Sequence, residues 1–148
     1  MEYVLYDIKD TKFVPLIKEI DYIENYIEIE KLRFEEVDVT INIDSNIENV
    51  KVPPLLFISL IENAFKHGGI NNKHLKITIN FKTDKNERLH FEIINNFVSS
   101  QVPNLKKGIG LQNTKSRLKL LYKDNFIFEQ KIKFNYFIIL LQIPVYED

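Results

Sequence analysis

The sequence predicts an α+β domain in which a mixed sheet carries its helices on one face. Three observations predict it. Apolar residues recur at helical spacing in three segments and alternate with polar residues at a period of two in five others. The segments run helix, strand, helix, two strands, loop, helix, two strands, which is not the strict alternation of a doubly wound parallel fold. The 148 residues suit a single domain, and no internal repeat or low-complexity stretch interrupts them.

Residues 12–33 are predicted as a long helix. Pro15 suits a first turn, where a missing N–H costs nothing. Leu16, Ile20, Ile23, Ile27 and Leu32 recur near helical spacing, and Glu19, Glu24, Glu28 and Glu30 are expected on the wet face. Residues 37–43 (VDVTINI) alternate strictly and predict a strand with one buried face. Residues 44–50, with Ser45, Asn46 and Asn49, predict a loop. Pro53 and Pro54 open a second helix running to about His67; Gly68-Gly69 is expected to end it with a left-handed C-cap. Residues 76–82 and 89–93 predict strands joined by a polar turn at 84–87. Residues 97–107 are polar and irregular. Leu111, Leu118 and Leu121 mark a third helix from Leu111 to Tyr122, and strands over 126–132 and 135–143 close the chain.

Composition excludes several classes. Apolar residues make up 45% and charged residues 28%, which argues against wholesale disorder. There is no cysteine, so disulfides, thiolate metal sites and thiol nucleophiles are excluded together; a reducing cytoplasm is the simple reading. No apolar run approaches the ~20 residues of a membrane helix, and the N-terminal MEYVLYDIKD has neither a basic nor an apolar leader region. The net charge of −1 hides an asymmetry: residues 1–50 hold 13 acids and 5 bases, residues 51–148 hold 8 acids and 15 bases. The basic part suits an anionic ligand, and equally a solvated lysine-rich surface. No basic stripe interleaves with stacking aromatics, so no nucleic-acid partner is expected.

Two motifs carry chemistry. Gly108-Ile-Gly-Leu-Gln-Asn113 lacks the third glycine of a dinucleotide fingerprint and does not follow a strand; a Walker A motif is also missing. Gly-x-Gly before a helix still lets backbone N–H groups approach a phosphate at a helix N-terminus. Taken alone, it also fits a plain loop-to-helix turn. On the second helix, Glu62, Asn63, Lys66 and His67 interrupt an apolar segment. Asn63 shares a face with Lys66 and His67. An amide oxygen for Mg²⁺ beside an ammonium is what a triphosphate needs; a helix end with solvated Lys and His reads the same way. His74 and His90 have no partner at metal-ligand spacing and are expected at the surface.

Together these segments resemble known ones. Val52-Pro-Pro-Leu-Leu…Leu60-Ile-Glu-Asn-Ala-Phe-Lys-His-Gly68 resembles the N box of sensor histidine kinases. Gly108-Ile-Gly-Leu-Gln-Asn…Arg117-Leu…Leu120-Leu-Tyr122 resembles their second glycine box and the helix after it. Phe13-Val-Pro-Leu…Glu19-Ile…Ile23 through Phe34 resembles the segment before the ATP domain in the LytS-type subfamily. The resemblance implies the two-layer α/β sandwich of the GHKL ATP-binding fold, shared with gyrase and MutL, and an ATP- and Mg²⁺-dependent protein-histidine kinase. Residues 1–34 would be the end of the phosphoacceptor hairpin and its connecting helix, and 35–148 the ATP domain. Asn63 would hold Mg²⁺, Lys66 would meet phosphate, and Arg117 would be an electrostatic partner of nucleotide or phosphoacceptor, completing a catalytic set. His67, Asn95, Gly108, Ile109, Gly110 and Leu111 would line the nucleotide, with 97–107 as lid. The implied partners are ATP, an upstream hairpin and a response regulator. The implied parent is a homodimer anchored in the bacterial inner membrane, with this part cytoplasmic and not itself touching lipid.

Two departures matter. Asn95 falls where the family's first glycine box has an aspartate for the adenine amino group, and Phe97 where it has a glycine. An amide can accept from that amino group, at a cost of about 1 kcal/mol for the lost charge. The phosphoacceptor histidine is also missing; the chain is expected to begin inside the hairpin's second helix, at Glu2–Tyr6. Ser59 stands where hydrolytic GHKL members place a glutamate, which predicts phosphoryl transfer and little ATPase. The alternatives are a nucleotide-free pseudokinase, for which Asn95, Phe97 and the apolar run 136–141 speak, and an anti-sigma-factor-type serine kinase.

Overall fold

The computed structural model describes residues 13–68, 74–85, 87–97 and 109–145. In chain order these form β1 (Val14–Pro15), α1 (Leu16–Lys31), β2 (Glu36–Ile43), a short 3-10 turn (Ser45–Ile47) and β3 (Lys51–Val52). Then come α2 (Leu56–His67), β4 (His74–Thr83), β5 (Arg88–Asn96), α3 (Ile109–Tyr122), β6 (Ile127–Lys133) and β7 (Tyr136–Pro144). The main sheet has five strands in the order β2-β4-β5-β7-β6, and β1 pairs with β3 in a separate two-stranded ribbon. β2 runs parallel to β4, while every other neighbour is antiparallel. A parallel pair needs a crossover, and α2 lies on it. The predicted mixed sheet with three helices is the observed α+β sandwich.

Alternation builds the inner face. Leu75, Ile77, Ile79 and Phe81 of β4, Leu89, Phe91 and Ile93 of β5, and Phe137, Ile139, Leu141 and Ile143 of β7 are all buried. They share one core with Ile20, Ile23 and Ile27 of α1, seven buried apolar residues of α2, and Leu111, Leu118 and Tyr122 of α3. Phe57 of α2 stands over Phe81 and Phe91, with ring centroids 5.2 and 4.8 Å away. The strands' other residues face outward, where Asn42 Nδ2 donates to Asn80 Oδ1 and Asn80 Nδ2 to Glu92 Oε1.

Three local expectations are corrected. Pro15 is not in the first turn: it is the N-cap of α1, extended at ψ 132°, and pairs with Lys51. Gly68 is not left-handed: at φ −88° and ψ 176° it is extended, and its lack of a side chain serves a close approach instead. Glu19 is not on the wet face. It is 2% exposed, on the same stripe as Leu16 and Ile23.

Candidate functional site

The C-terminal turns of α2 collect the polar residues that its apolar stripe cannot bury. Asn63 is half-buried, and Glu62, Lys66 and His67 are exposed. Lys66 and His67 stand in the last turn, where the helix dipole favours positive charge. The pKa of His67 nevertheless lies below its ordinary value, because partial burial and then the neighbouring ammonium of Lys66 disfavour a second charge.

Gly68 follows at once, its N–H donating to Ala64 O at 2.8 Å. A Cβ at Gly68 would lie 2.5 Å from Ala64 O, 2.7 Å from Leu75 Cδ1 and 2.9 Å from Asn95 Nδ2. The end of α2 is thus pressed onto the end of β5. Asn95 is 4% exposed and is the last inner-facing residue of that central strand, beside Ile77 of β4 and Phe137 of β7. Its Nδ2 donates to Asn96 O at 3.0 Å, so the amide oxygen is its remaining acceptor. Phe97 is buried, and its N–H donates to Asn135 O at 2.9 Å, which ties the end of β5 to the β6–β7 turn. The structure therefore brings Asn63, Lys66 and His67 to one helix end, with Asn95 beneath it.

α3 packs beside α2, opening with Ile109 and Gly110 and burying Leu111. Gly108 and the lid segment, Phe97 apart, lie outside the described residues. Ser59 has another occupation: its hydroxyl donates to Leu55 O, one turn back in α2, at 3.3 Å.

Arg117 is half-buried on α3. Burial lowers its pKa, opposed first by the charge of Glu19 and then by that of Tyr122. Glu19 is the one buried carboxylate among the described residues. Its Oε1 accepts the N–H of Leu55 at 2.6 Å. In the sequence Glu19 is one of several glutamates expected on the wet face of the helix. Its position, three after Leu16 and four before Ile23, is the signal that distinguishes it.

Comparisons with known proteins bear on the family and the fold. A histidine-kinase family model matches residues 1–37. The sensor protein LytS of Oceanobacillus iheyensis is 30% identical over 134 residues, which cover 80% of this chain and 23% of that protein. The histidine kinase domain of the Erythrobacter litoralis EL346 blue-light activated kinase superposes with a TM-score of 0.69 at 16% identity, covering 91% of this chain and 63% of that one. Full-length ShkA, solved in complex with AMPPNP, superposes with a TM-score of 0.68 at 8% identity over 94% of this chain and 32% of its own. The fold is that of a histidine-kinase catalytic domain. In sequence and in fold the chain is placed with the catalytic domains of LytS-type sensor histidine kinases. It spans less than a quarter of the length of its LytS relative.

Proposed function

We propose that this chain is the ATP-binding catalytic domain of a two-component sensor kinase, which transfers the γ-phosphoryl group of ATP to a histidine on an upstream helical hairpin. The observation that carries the reading is the junction of α2 with β5: a half-buried Asn63 and an exposed Lys66 above, and a buried Asn95 amide below, brought together by a glycine that admits no side chain. The Asn95 oxygen would accept from the adenine amino group, with Leu111 at the start of α3 and His67 beside it. Gly108, Ile109 and Gly110 would offer main-chain N–H groups to phosphate, and Lys66 would supply the ammonium. Among the described residues no group of three or more His, Asp or Glu side chains could hold a metal alone. Mg²⁺ commonly takes only one or two protein oxygens besides phosphates and water, a role that Asn63 fits.

Catalysis by such a site is positioning and charge neutralisation. Asn63, Lys66 and Arg117 orient and neutralise the phosphates, and the hairpin histidine brings the nucleophile. Ser59, committed to the α2 backbone, is a poor base for water, which favours transfer over hydrolysis. Residues 1–34 then lead from the hairpin and 35–148 hold the nucleotide, with α1 sharing the core of the sheet. The parent is a membrane-anchored homodimer that passes phosphate to a response regulator, with this domain on the cytoplasmic side. No described helix is long and apolar enough to cross a membrane.

Calorimetric titration of ATP with Mg²⁺, with Asn63→Ala as control, tests the reading. Saturable binding should appear, and ligand at about 100-fold over Kd should stabilise the fold by ~2.7 kcal/mol. Asn63→Ala should keep its fold and lose most of the Mg²⁺-dependent affinity. A supplied hairpin should then become phosphorylated. No heat and no thermal shift at millimolar ATP would refute the kinase reading and leave a partner-binding domain, the alternative that the buried Phe97 favours.

A further inference from the structure

The last turn of α2 is held at two points, and one of them is aromatic. Phe65, between Ala64 and Lys66, is 2% exposed. The Tyr26 ring of α1 meets it edge to face, with centroids 5.9 Å apart and planes at 81°. The Phe34 ring lies against it as well, tilted at 48° with centroids also 5.9 Å apart. At such distances aromatic pairs attract beyond what their buried area supplies. Phe34 stands between α1 and β2, and a tightened helix end sets its place. The N–H groups of Leu32, Arg33 and Phe34 donate to Ile29 O, Glu30 O and Lys31 O at 3.2, 3.0 and 3.3 Å. Arg33 Nη1 donates to Glu30 Oε2 at 2.8 Å in the same turn. Burial, and then the charges of Glu30 and Glu62, raise the pKa of the Tyr26 hydroxyl, so at neutral pH Tyr26 meets Phe65 as an uncharged ring. The second point is Gly68, pressed against Leu75 and Asn95. The turn that carries Lys66 and His67, directly after Asn63, is thus held by α1 as well as by the sheet.

We propose that Tyr26 and Phe34 are positioning residues of the nucleotide site: packed on Phe65, their rings fix the end of α2 from which Asn63 and Lys66 reach the ligand. Neither is given a contact with nucleotide; both act through Phe65. A Phe65 ring without them would let the last turn shift, whereas a site side chain works only within about 0.5 Å of its productive place. Their role rests on the reading of the chain as an ATP-binding domain. It extends the site's framework to α1, an element that supplies none of the proposed ligand contacts.

The test pairs ATP·Mg²⁺ calorimetry with amide hydrogen exchange on the whole chain, well below each variant's melting temperature. The variants are Tyr26→Leu, Phe34→Leu, Tyr26→Phe and Ile143→Ala. Ile143 is buried on β7, paired with Leu89 at the end of the sheet away from Asn95, and reports what a loss of core packing alone does. Tyr26→Leu and Phe34→Leu should each weaken ATP·Mg²⁺ binding by roughly threefold to tenfold. In both, the amides of 65–68 should quicken in exchange by a larger factor than those of β7. Tyr26→Phe, which keeps the ring, should stay within about twofold of the parent in affinity, and so should Ile143→Ala. Affinity within about twofold of the parent in both leucine variants, an equal loss in Ile143→Ala, or exchange that quickens uniformly along the chain would overturn the proposal, because the rings would then serve stability alone. A parent that binds no ATP is a different result: the functional reading itself has failed, and the assignment of Tyr26 and Phe34 to a nucleotide site falls with it. If Phe34→Leu does not fold, Tyr26→Leu against Tyr26→Phe still decides.

Discussion

The contact of Gly68 with β5 gives a sharp test, because its cost can be worked from three distances. Gly68→Ala puts a Cβ 2.5 Å from Ala64 O, 2.7 Å from Leu75 Cδ1 and 2.9 Å from Asn95 Nδ2. None of the three retreats easily. Ala64 O is main chain inside α2 and accepts the Gly68 N–H; Leu75 and Asn95 are both buried. The backbone at residue 68 is extended, so alanine meets no conformational strain and the whole cost is steric. Overpacking of this kind costs about 1–3 kcal/mol, offset by roughly 0.4–1 kcal/mol from the stiffer unfolded chain. A net loss of about 1–2 kcal/mol corresponds to a fall in melting temperature of roughly 2–8 °C for a chain of this size. Thermal melts give the stability, and an ATP titration of the same sample gives the site. Because the new methyl group pushes on Asn95, affinity should fall as well. A variant that melts at or above the parent and binds ATP equally would show that the α2–β5 junction is looser than these distances require, and the argument for the site would lose its basis.

Further outcomes follow from particular contacts. Phe57→Ala removes a ring packed on both Phe81 and Phe91 and should cost about 3–5 kcal/mol by urea denaturation; a loss below about 1 kcal/mol would mean the core collapses around the gap. Asn63→Ala should leave stability within about 0.5 kcal/mol of the parent while binding of ATP becomes insensitive to Mg²⁺, and retained Mg²⁺ dependence would remove Asn63 from the metal. His67, whose pKa is held below its ordinary value by burial and Lys66, takes up its proton more readily in the unfolded chain. Its contribution to stability is therefore full above about pH 6.5 and declines as the pH falls through that value. Going from pH 7 to pH 5, the urea midpoint of His67→Gln should rise relative to the parent; a pH-independent difference would contradict this.

How much of this was legible in the sequence depends on the range of the interactions involved. Alternation over 37–43, 76–82 and 89–93 placed three strands, because a sheet with one buried face writes its geometry into a period of two. The structure extends these strands by one to three residues at their ends, where pairing partners rather than local pattern decide. The Asn63-Lys66-His67 face was legible because polar residues interrupt an apolar helix at spacing three and four. What the sequence concealed is long-range. Gly68 looks like a helix stop, and only its approach to Asn95, 27 positions away, shows why a side chain is excluded there. Glu19 looks like any solvated glutamate until the helix is docked and its carboxylate meets the Leu55 N–H, 36 positions on. Arg117 reads as a free cation near phosphate, yet the fold half-buries it, which lowers its pKa. Polar partners on different helices leave no periodic trace.

The adjoining main chain explains why an amide stands at residue 95. Asn95 Nδ2 donates to Asn96 O at 3.0 Å, a bond that a carboxylate cannot make. Asn95→Asp would aim an oxygen at a carbonyl oxygen, at a position only 4% exposed, and would leave a buried charge short of donors. The expected loss is about 1–3 kcal/mol at pH 7. Desolvation would raise the pKa of the new carboxyl, so the folded state would bind its proton more tightly than the unfolded one, and stability would recover as the pH is lowered toward 5. Regaining the charge could return at most about 1 kcal/mol of adenine recognition, roughly fivefold in affinity, and the strain at Asn96 O would oppose it. The variant should therefore be less stable at neutral pH and bind ATP no better than the parent. Tighter binding with unchanged stability would show instead that Asn95 is a simple weakening of an aspartate site. If the variant behaves as expected, the amide is fixed by its own main chain: Phe97, buried and bonded to Asn135 O, anchors the strand end, and Asn95 closes the polar end of β5 without a charge to desolvate.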